Sequence, residues 1–332
     1  MAASLGNERH DAGNHCVWWG ASHPEILQAC RPALPGAVVV ADADARALRR
    51  AMAAAGQQAT ALRLVDLHDL RLDTAGVESA LCGLALKSID AYQAMRDRLA
   101  QQAAAAPAVG DASASVVVMD MLLNRVPADG MDELLAEAFR VLPRHGQLMA
   151  VVLLADEPVA GMHNVRFGTD GIKAFLPSEG AVLGAFERAG FHGLQWAFCA
   201  DENPVIIDRI EGADVRLVLV KATKGKQGPC YELGQAVVYK GPWSQVADDD
   251  GHVYPRGARV AVCAKTYDLL MKPPYAGQFV GLRSVNEPAL ASAELFDCHT
   301  PALRPPAVTK GLAEFAGATA PSSACAPGSG CC

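Results

Sequence analysis

The sequence predicts an α/β protein, a doubly wound sheet with a small β-rich C-terminal domain. Three observations predict it. First, an amphipathic helix over Asp132–Leu142 runs through the basic turn Pro143-Arg-His-Gly146 into the apolar strand Gln147–Leu153. Leu134, Leu135, Ala138, Val141 and Leu142 share one helical face, and the strand does not alternate, as expected of a strand buried on both faces. Second, the chain up to Asp66 alternates short apolar runs with helical stretches, the pattern of parallel crossover units. Third, after Lys221 the composition changes to short strands separated by turns.

The elements follow in order. Cys16-Val-Trp-Trp19 is the first strand and ends at Gly20-Ala-Ser22. A helix from about Pro24 to Cys30 starts with its proline in the first turn. Ala37–Ala41 is a second buried strand with Asp42 at its carboxyl end, and Asp44–Ala55 is a helix with an acidic start. Ala61–Val65 is the third strand, ending at Asp66. Val77–Ala105 reads as helix, and the alanine-dominated stretch 103–114, interrupted by Pro and Gly, reads as a flexible insertion. Ser115–Met119 is the fourth strand; helix 131–142 and strand 147–154 come next. Ala181–Gly190 is a helix stopped by glycine, and Phe191–Cys199 and Val215–Val220 supply the antiparallel end of the sheet. Lys224–Pro229 is a linker or exposed loop, followed by strands Gln235–Tyr239 and Arg259–Cys263 and the turn Asp248–Gly251. The expected domains are therefore 1–222, 223–317 and a Cys-rich tail 318–332.

Composition excludes several classes. A net charge of −7 on 332 residues, with no dense Lys/Arg cluster, argues against nucleic-acid binding, which needs a basic surface. No apolar run approaches the roughly 20 residues a membrane span requires. The start of the chain lacks the basic-then-apolar pattern of a signal peptide, so the expected compartment is the cytoplasm, where thiols stay reduced. With 51 % hydrophobic residues a sizeable core forms. Ten cysteines are many, and Cys230, Cys263, Cys298, Cys325, Cys331 and Cys332 fall in the last third. In a reducing compartment that clustering favours ligation of a thiophilic metal or metalloid, or redox chemistry, over structural disulfides. Cys230, Cys263, Cys325, Cys331 and Cys332 are the candidate ligands; core burial accounts more plainly for Cys82 and Cys199. Asp248-Asp-Asp-Gly-His252 lacks a full calcium-loop pattern and reads as an acidic hairpin turn.

Open parallel sheets bind ligands outside the carboxyl ends of their strands. Gly20, Ser22, Asp42, Asp66 and Asp120 stand there. A carboxylate after the second strand suits a ribose diol, one after the third an adenine amino group, and a glycine after the first allows close approach of ligand to backbone. The plainer account is that strand-end aspartates cap the next helix.

A resemblance sharpens this. Val40-Ala-Asp42, Asp66-Leu-His-Asp-Leu70, Met119-Asp-Met-Leu-Leu-Asn124, Glu137-Ala-Phe-Arg-Val-Leu142 with Gly146, and Phe186-Glu-Arg-Ala-Gly-Phe191 resemble, in order and spacing, class I methyltransferases dependent on S-adenosylmethionine (SAM). Cys230-Tyr-Glu-Leu-Gly-Gln-Ala-Val-Val-Tyr-Lys-Gly241 and Val262-Cys-Ala-Lys-Thr266 resemble the C-terminal domain of the arsenite methyltransferase family, and the likeness covers residues 15–280. The resemblance implies a class I methyltransferase (Rossmann-like) fold and SAM over Gly20, Ser22, Asp42, Asp66 and Asp120. It further implies methyl transfer to a soft nucleophile, metalloid or thiol, or to a small molecule, in a homo-oligomer or a hetero-oligomer with another methyltransferase chain.

The sequence also departs from that family. Trp18 stands where the first loop carries an acid, Ser22 and Pro24 replace later glycines, and Pro24 removes an N–H. Only a short segment precedes the first strand. Met121 replaces a metalloid-binding thiol, and 155–177 contains no cysteine. Trivalent arsenic takes thiolates, and a thioether cannot deprotonate. The alternative expectation is therefore a catalytically degenerate methyltransferase-fold protein that binds a metal or metalloid through cysteines or partners an active methyltransferase.

Overall fold

The computed structural model describes residues 15–23, 26–27, 34, 36–55, 59–74, 76–77, 87–167, 171–198 and 206–315. The chain forms two compact units, Met1–Lys224 and Gly225–Cys332. The tail 318–332 and most of the helix expected from Pro24 lie outside the described residues.

In the first unit the strands are β1 (His15–Trp19), β2 (Ala37–Asp42), β3 (Ala59–Leu64), β4 (Val116–Asp120), β5 (Gln147–Ala155), β6 (Met162–Val165), β7 (Ile172–Phe175), β8 (Phe191–Phe198), β9 (Ile206–Ile210) and β10 (Ala213–Lys224). The helices are α1 (Ala45–Ala55), α2 (Ile89–Ala105), α3 (Met131–Val141) and α4 (Glu179–Arg188). The main sheet runs β3-β2-β1-β4-β5-β10-β8, with β9 also paired to β10. β1 to β5 are parallel, and β10 enters antiparallel between β5 and β8. This is the Rossmann-like, doubly wound order of the class I methyltransferase fold.

Continuous apolar strands explain the layering. Every residue of β4 is buried, as is every residue of β5 after Gln147. Val17, Trp19, Val117, Met119, Ala150 and Val152 face one core. Leu134, Leu135, Ala138 and Val141 of α3, and Val182, Ala185 and Phe186 of α4, close it. Cys16, Trp18, Val38, Val40, Val118 and Val151 face the other core, which α1 covers with Ala47, Leu48 and Ala51. Ser178 caps α4 by accepting the Ala181 N–H at 3.3 Å, and Gly190 (φ +86°) stops it.

Two expectations need correction. The helix expected over Val77–Ala105 is not one continuous element: Thr74, Gly76 and Val77 are helical, residues 78–86 lie outside the described set, and a separate helix starts at Ile89, where Ser88 is the N-cap and accepts the Ala91 N–H at 3.1 Å. The stretch 103–114, expected to be a flexible insertion, is held down. Its first residues end α2, and then Ala108 and Val109 donate to Arg71 and Leu70, and Ala112 and Ala114 to Arg140 and Val141. The cause is a polar pair on α3. Glu137 accepts the Leu70 N–H at 2.8 Å and pairs with Arg140, which also bonds Asp111 and the Val109 carbonyl. Composition does not reveal that anchor. The hairpin β6–β7 was also not foreseen.

The second unit holds a three-stranded sheet β14-β11-β15, from β11 (Ala236–Tyr239), β14 (Arg259–Ala261) and β15 (Phe279–Leu282). A hairpin of β12 (Gln245–Ala247) and β13 (Val253–Pro255) and a helix α5 (Ala264–Leu270) accompany it. The strand expected over Arg259–Cys263 stops at Ala261, because Cys263 instead caps α5. Gly281 lets α5 approach β15: a Cβ there would fall 2.5 Å from the Tyr267 hydroxyl. Val237, Tyr239, Tyr254, Leu270 and Phe279 form the core.

Candidate functional site

The order of the main sheet reverses at β1, between β2 and β4, and that switch point is where this architecture places a ligand. Gly20 leaves β1 there with φ +92° and donates its N–H to Ala41 O at 2.8 Å. A Cβ on it would lie 2.7 Å from the Asp120 carbonyl, so only glycine lets the loop cross so close to β4.

Asp42 is 1 % exposed. Its Oδ2 accepts the Ala21 N–H at 2.6 Å and its Oδ1 the Asp44 N–H at 2.8 Å. Arg125 Nη1 reaches both oxygens at 3.3 and 3.4 Å. Capping of α1 falls to the next aspartate: Asp44 Oδ1 accepts the Arg46 N–H at 2.8 Å. Asp42 thus faces the first loop and is not the cap of its helix. Asp120 is fully buried and takes His23, with the backbone N–H at 3.2 Å from Oδ2 and Nδ1 at 3.1 Å from Oδ1. The Phe167 ring stands edge-on to His23 at 5.4 Å.

A short turn supports this edge. Met121 takes the left-handed conformation (φ +54°) and leads into a 3-10 turn over Leu122–Asn124. Asn124 is 2 % exposed. Its Nδ2 donates to the Leu153 and Phe175 carbonyls, both at 2.8 Å, and its Oδ1 accepts the Leu153 N–H at 2.9 Å.

Of the residues expected at the site, Gly20, Asp42 and Asp120 are linked by these contacts, and Ser22 sits half-buried in the same loop. Asp66 stands beyond the end of β3, where its Oδ1 accepts the His68 N–H at 2.8 Å and shapes its own loop. Sequence reasoning missed the roles of His23, Arg125 and Phe167. His23 sits in the strand-end phrase Gly20-Ala-Ser-His23 and was findable; Arg125 and Phe167 carry no local signal.

In the second unit, Cys230 and Cys263 meet, and Cys298, not foreseen as a ligand, joins them. The three are 0 %, 0 % and 7 % exposed. Their sulfurs lie within 4.8 Å of one another and remain thiols rather than a disulfide. Cys263 also contacts the Thr266 hydroxyl at 3.2 Å. Hydrogen bonding with Cys230 raises the Cys263 pKa and burial adds to it, while hydrogen bonding with Cys298 opposes. Cys325, Cys331 and Cys332 lie outside the described residues. Asp248, Asp250 and His252 also cluster, as an engaged turn. The Asp248 carboxylate accepts from Tyr254 Oη at 2.8 Å and from the Asp250 and His252 N–H groups. Asp250 pairs with Lys226 at 2.7 Å. Burial alone would raise the Asp248 pKa, but bonding to His252 and Tyr254 outweighs it and holds the carboxyl below its ordinary value.

Residues 226–314 match the family described as a domain of unknown function, DUF8838. No curated protein matches the chain in sequence. Among solved structures, the chain is similar to an arsenic (III) S-adenosylmethionine methyltransferase from Chlamydomonas reinhardtii. That pair shares 15 % identity at a TM-score of 0.44, covering 88 % of this chain and 92 % of that one. An S-adenosylmethionine dependent methyltransferase from Mesorhizobium loti gives 16 % and 0.41, covering 67 % and 95 %. A SAM-dependent methyltransferase from Methanosarcina mazei gives 14 % and 0.39, covering 65 % and 94 %. None of these superpositions reaches 0.5, so the fold assignment stands on strand order and direction. No described helix is long and apolar enough to cross a membrane.

Proposed function

We propose that the switch point binds SAM and that the chain transfers its methyl group to a soft nucleophile, a metalloid or thiol, or to a small molecule. The observation that carries this reading is Asp42: a buried carboxylate at the end of β2, turned towards the glycine loop while Asp44 caps the helix. The residues present fit the cofactor. The long contacts of Asp42 are those to Arg125, whose side chain is 31 % exposed and able to swing away, leaving two acceptor positions for a ribose diol. Gly20 allows close approach; on this reading Asp66 takes the adenine amino group, and Ser22 and Asp120 complete the edge. When bound, SAM supplies a sulfonium methyl that a soft lone pair attacks in line. The chain's own residues hold the two partners in register and exclude water. We also assign a soft-ion role to Cys230, Cys263 and the tail thiols Cys325, Cys331 and Cys332.

One observation favours a second reading. Arg125 engages Asp42 and His23 engages Asp120, as expected of a degenerate site in a binding protein or a partner of an active methyltransferase. Calorimetric titration with SAM and its demethylated product separates the two. The first reading expects binding that Asp42→Ala weakens by about 1.5–3 kcal/mol, the usual loss for a charged hydrogen bond, and that Arg125→Ala strengthens. Silence of the wild-type protein at saturating SAM would leave only the second.

A further inference from the structure

Unit 2 contains a feature that methyl transfer itself does not use and that deepens the soft-ion role assigned above to Cys230 and Cys263, on which it rests. Cys230, Cys263 and Cys298 come from three distant parts of the chain, yet their backbones are tied together. The Phe296 N–H donates to Cys230 O at 2.8 Å, and the Ala264 N–H donates to Tyr231 O at 2.8 Å. A β-bridge joins Tyr231 to Leu295. The thiols therefore ride on a preformed frame rather than on loose loops. The apolar residues Ala261 and Phe296 are buried with them, and Ala302 and Phe315 pack alongside, while the Thr266 hydroxyl stands 3.2 Å from Cys263. A cleft of about 380 Å³, including its open mouth, reaches the cluster and is lined by Cys263, Cys298, Thr266, His252, Phe296 and Thr300.

We propose that Cys230, Cys263 and Cys298 form a three-thiolate site for a thiophilic ion, a trivalent metalloid or a soft divalent metal, loaded through this cleft. Three sulfurs holding an ion at ~2.3 Å stand ~4 Å apart, so sulfurs already within 4.8 Å of one another need only a slight contraction. Among the described residues, no other Cys, His, Asp or Glu joins this group. Three-coordinate ions are thereby favoured over a closed four-ligand structural zinc site. Hard cations are excluded by the all-sulfur donor set. Loading is balanced without any redox change. With arsenite, As(OH)3, three As–O bonds break and three As–S bonds form, and each thiol proton leaves with a hydroxide as water. A divalent metal instead releases the three thiol protons to solvent. In either case the ion staples the segments before β11, before α5 and after Phe296. The unit then gains stability from the ion independently of any cofactor in unit 1.

The test uses the full chain with Cys325, Cys331 and Cys332 replaced by serine, kept reduced with a phosphine, so that only thiols outside the tail respond. Equilibrium dialysis against arsenite, cadmium and zinc, read by elemental analysis, is expected to give one equivalent of at least one of them. X-ray absorption of the loaded protein is expected to show three sulfur neighbours. Cys298→Ser should weaken binding at least tenfold, while Cys16→Ser, in unit 1, should not change it. Binding of arsenite alone assigns the site to metalloids, and binding of cadmium or zinc alone assigns it to divalent metals. No binding of any probe, unchanged affinity in Cys298→Ser, or a loaded spectrum with fewer than three sulfurs would overturn the proposal. The spectrum is taken on a protein with the triad intact, so the result stands even where Cys298→Ser fails to fold.

Discussion

Replacing Asn124 with alanine tests how the candidate site is held in place. Strand β4 ends at Asp120, opposite Val151, and the Met121 N–H makes one more bond to Val151 O at 3.0 Å. The chain then turns away, which would leave the next edge groups of β5, the N–H and C=O of Leu153, facing nothing. The Asn124 carboxamide satisfies both and adds a bond to Phe175 on β7. Alanine would orphan three backbone groups beside a side chain that is 2 % exposed. Each buried unsatisfied group costs about 1–3 kcal/mol. Allowing for water entering the gap, the expected loss is about 3–5 kcal/mol, at the high end for a single substitution. Asn124→Asp should cost at least as much, since it keeps the shape but loses both donors. Urea unfolding followed by circular dichroism reads the change as a lower midpoint at constant slope. Met121 begins the same turn, so SAM binding, on the proposed reading, should weaken as well. A loss below 1 kcal/mol with an unchanged slope would refute the idea that Asn124 stands in for the missing strand.

Three further outcomes follow from other sites. Gly20→Ala should lower stability by about 2–4 kcal/mol, through its positive φ and the contact with Asp120 O, and thermal melting checks it. Asp208 has a pKa lowered from 3.8 to about 2, chiefly by the Arg166 N–H and then by its guanidinium. Because the folded value is depressed, the stabilisation is complete above about pH 4 and is lost as pH falls towards 2, so Asp208→Asn should flatten that part of an acid titration. Arg304 is 1 % exposed, bonds both Glu232 oxygens at 2.9 and 2.7 Å and lies over Phe315. Arg304→Met should destabilise the protein by about 3 kcal/mol, visible as a lower melting temperature, because it strands a partly buried carboxylate.

Strands and core helices were legible in the sequence because burial on two faces writes itself as continuous apolar runs, as in β4 and β5. The carboxyl-edge aspartates were legible because strand ends fix their position. Arg125 and Phe167 were not, since each reaches the edge from a segment with no periodic signal. The segment 103–114 misled because composition carries no record of Glu137 and Arg140 on a distant helix. Cys298 escaped notice as a ligand for a similar reason: three thiols from separate segments have no spacing motif, and only the backbone bonds among 230–231, 264 and 295–296 bring them together.

The way the first unit ends has a mechanical consequence. Lys224 closes β10: its N–H donates to Gly146 O at 3.0 Å, and its Nζ takes the Phe139 and Leu142 carbonyls at the end of α3, both at 2.7 Å. Upstream, β10 is zipped to β5 from Val215 to Thr223 and to β8 on its other side. Tension on Lys224 directed along the strand axis would load these rows of hydrogen bonds in shear, all at once. The second unit thus follows directly on a strand that resists sliding.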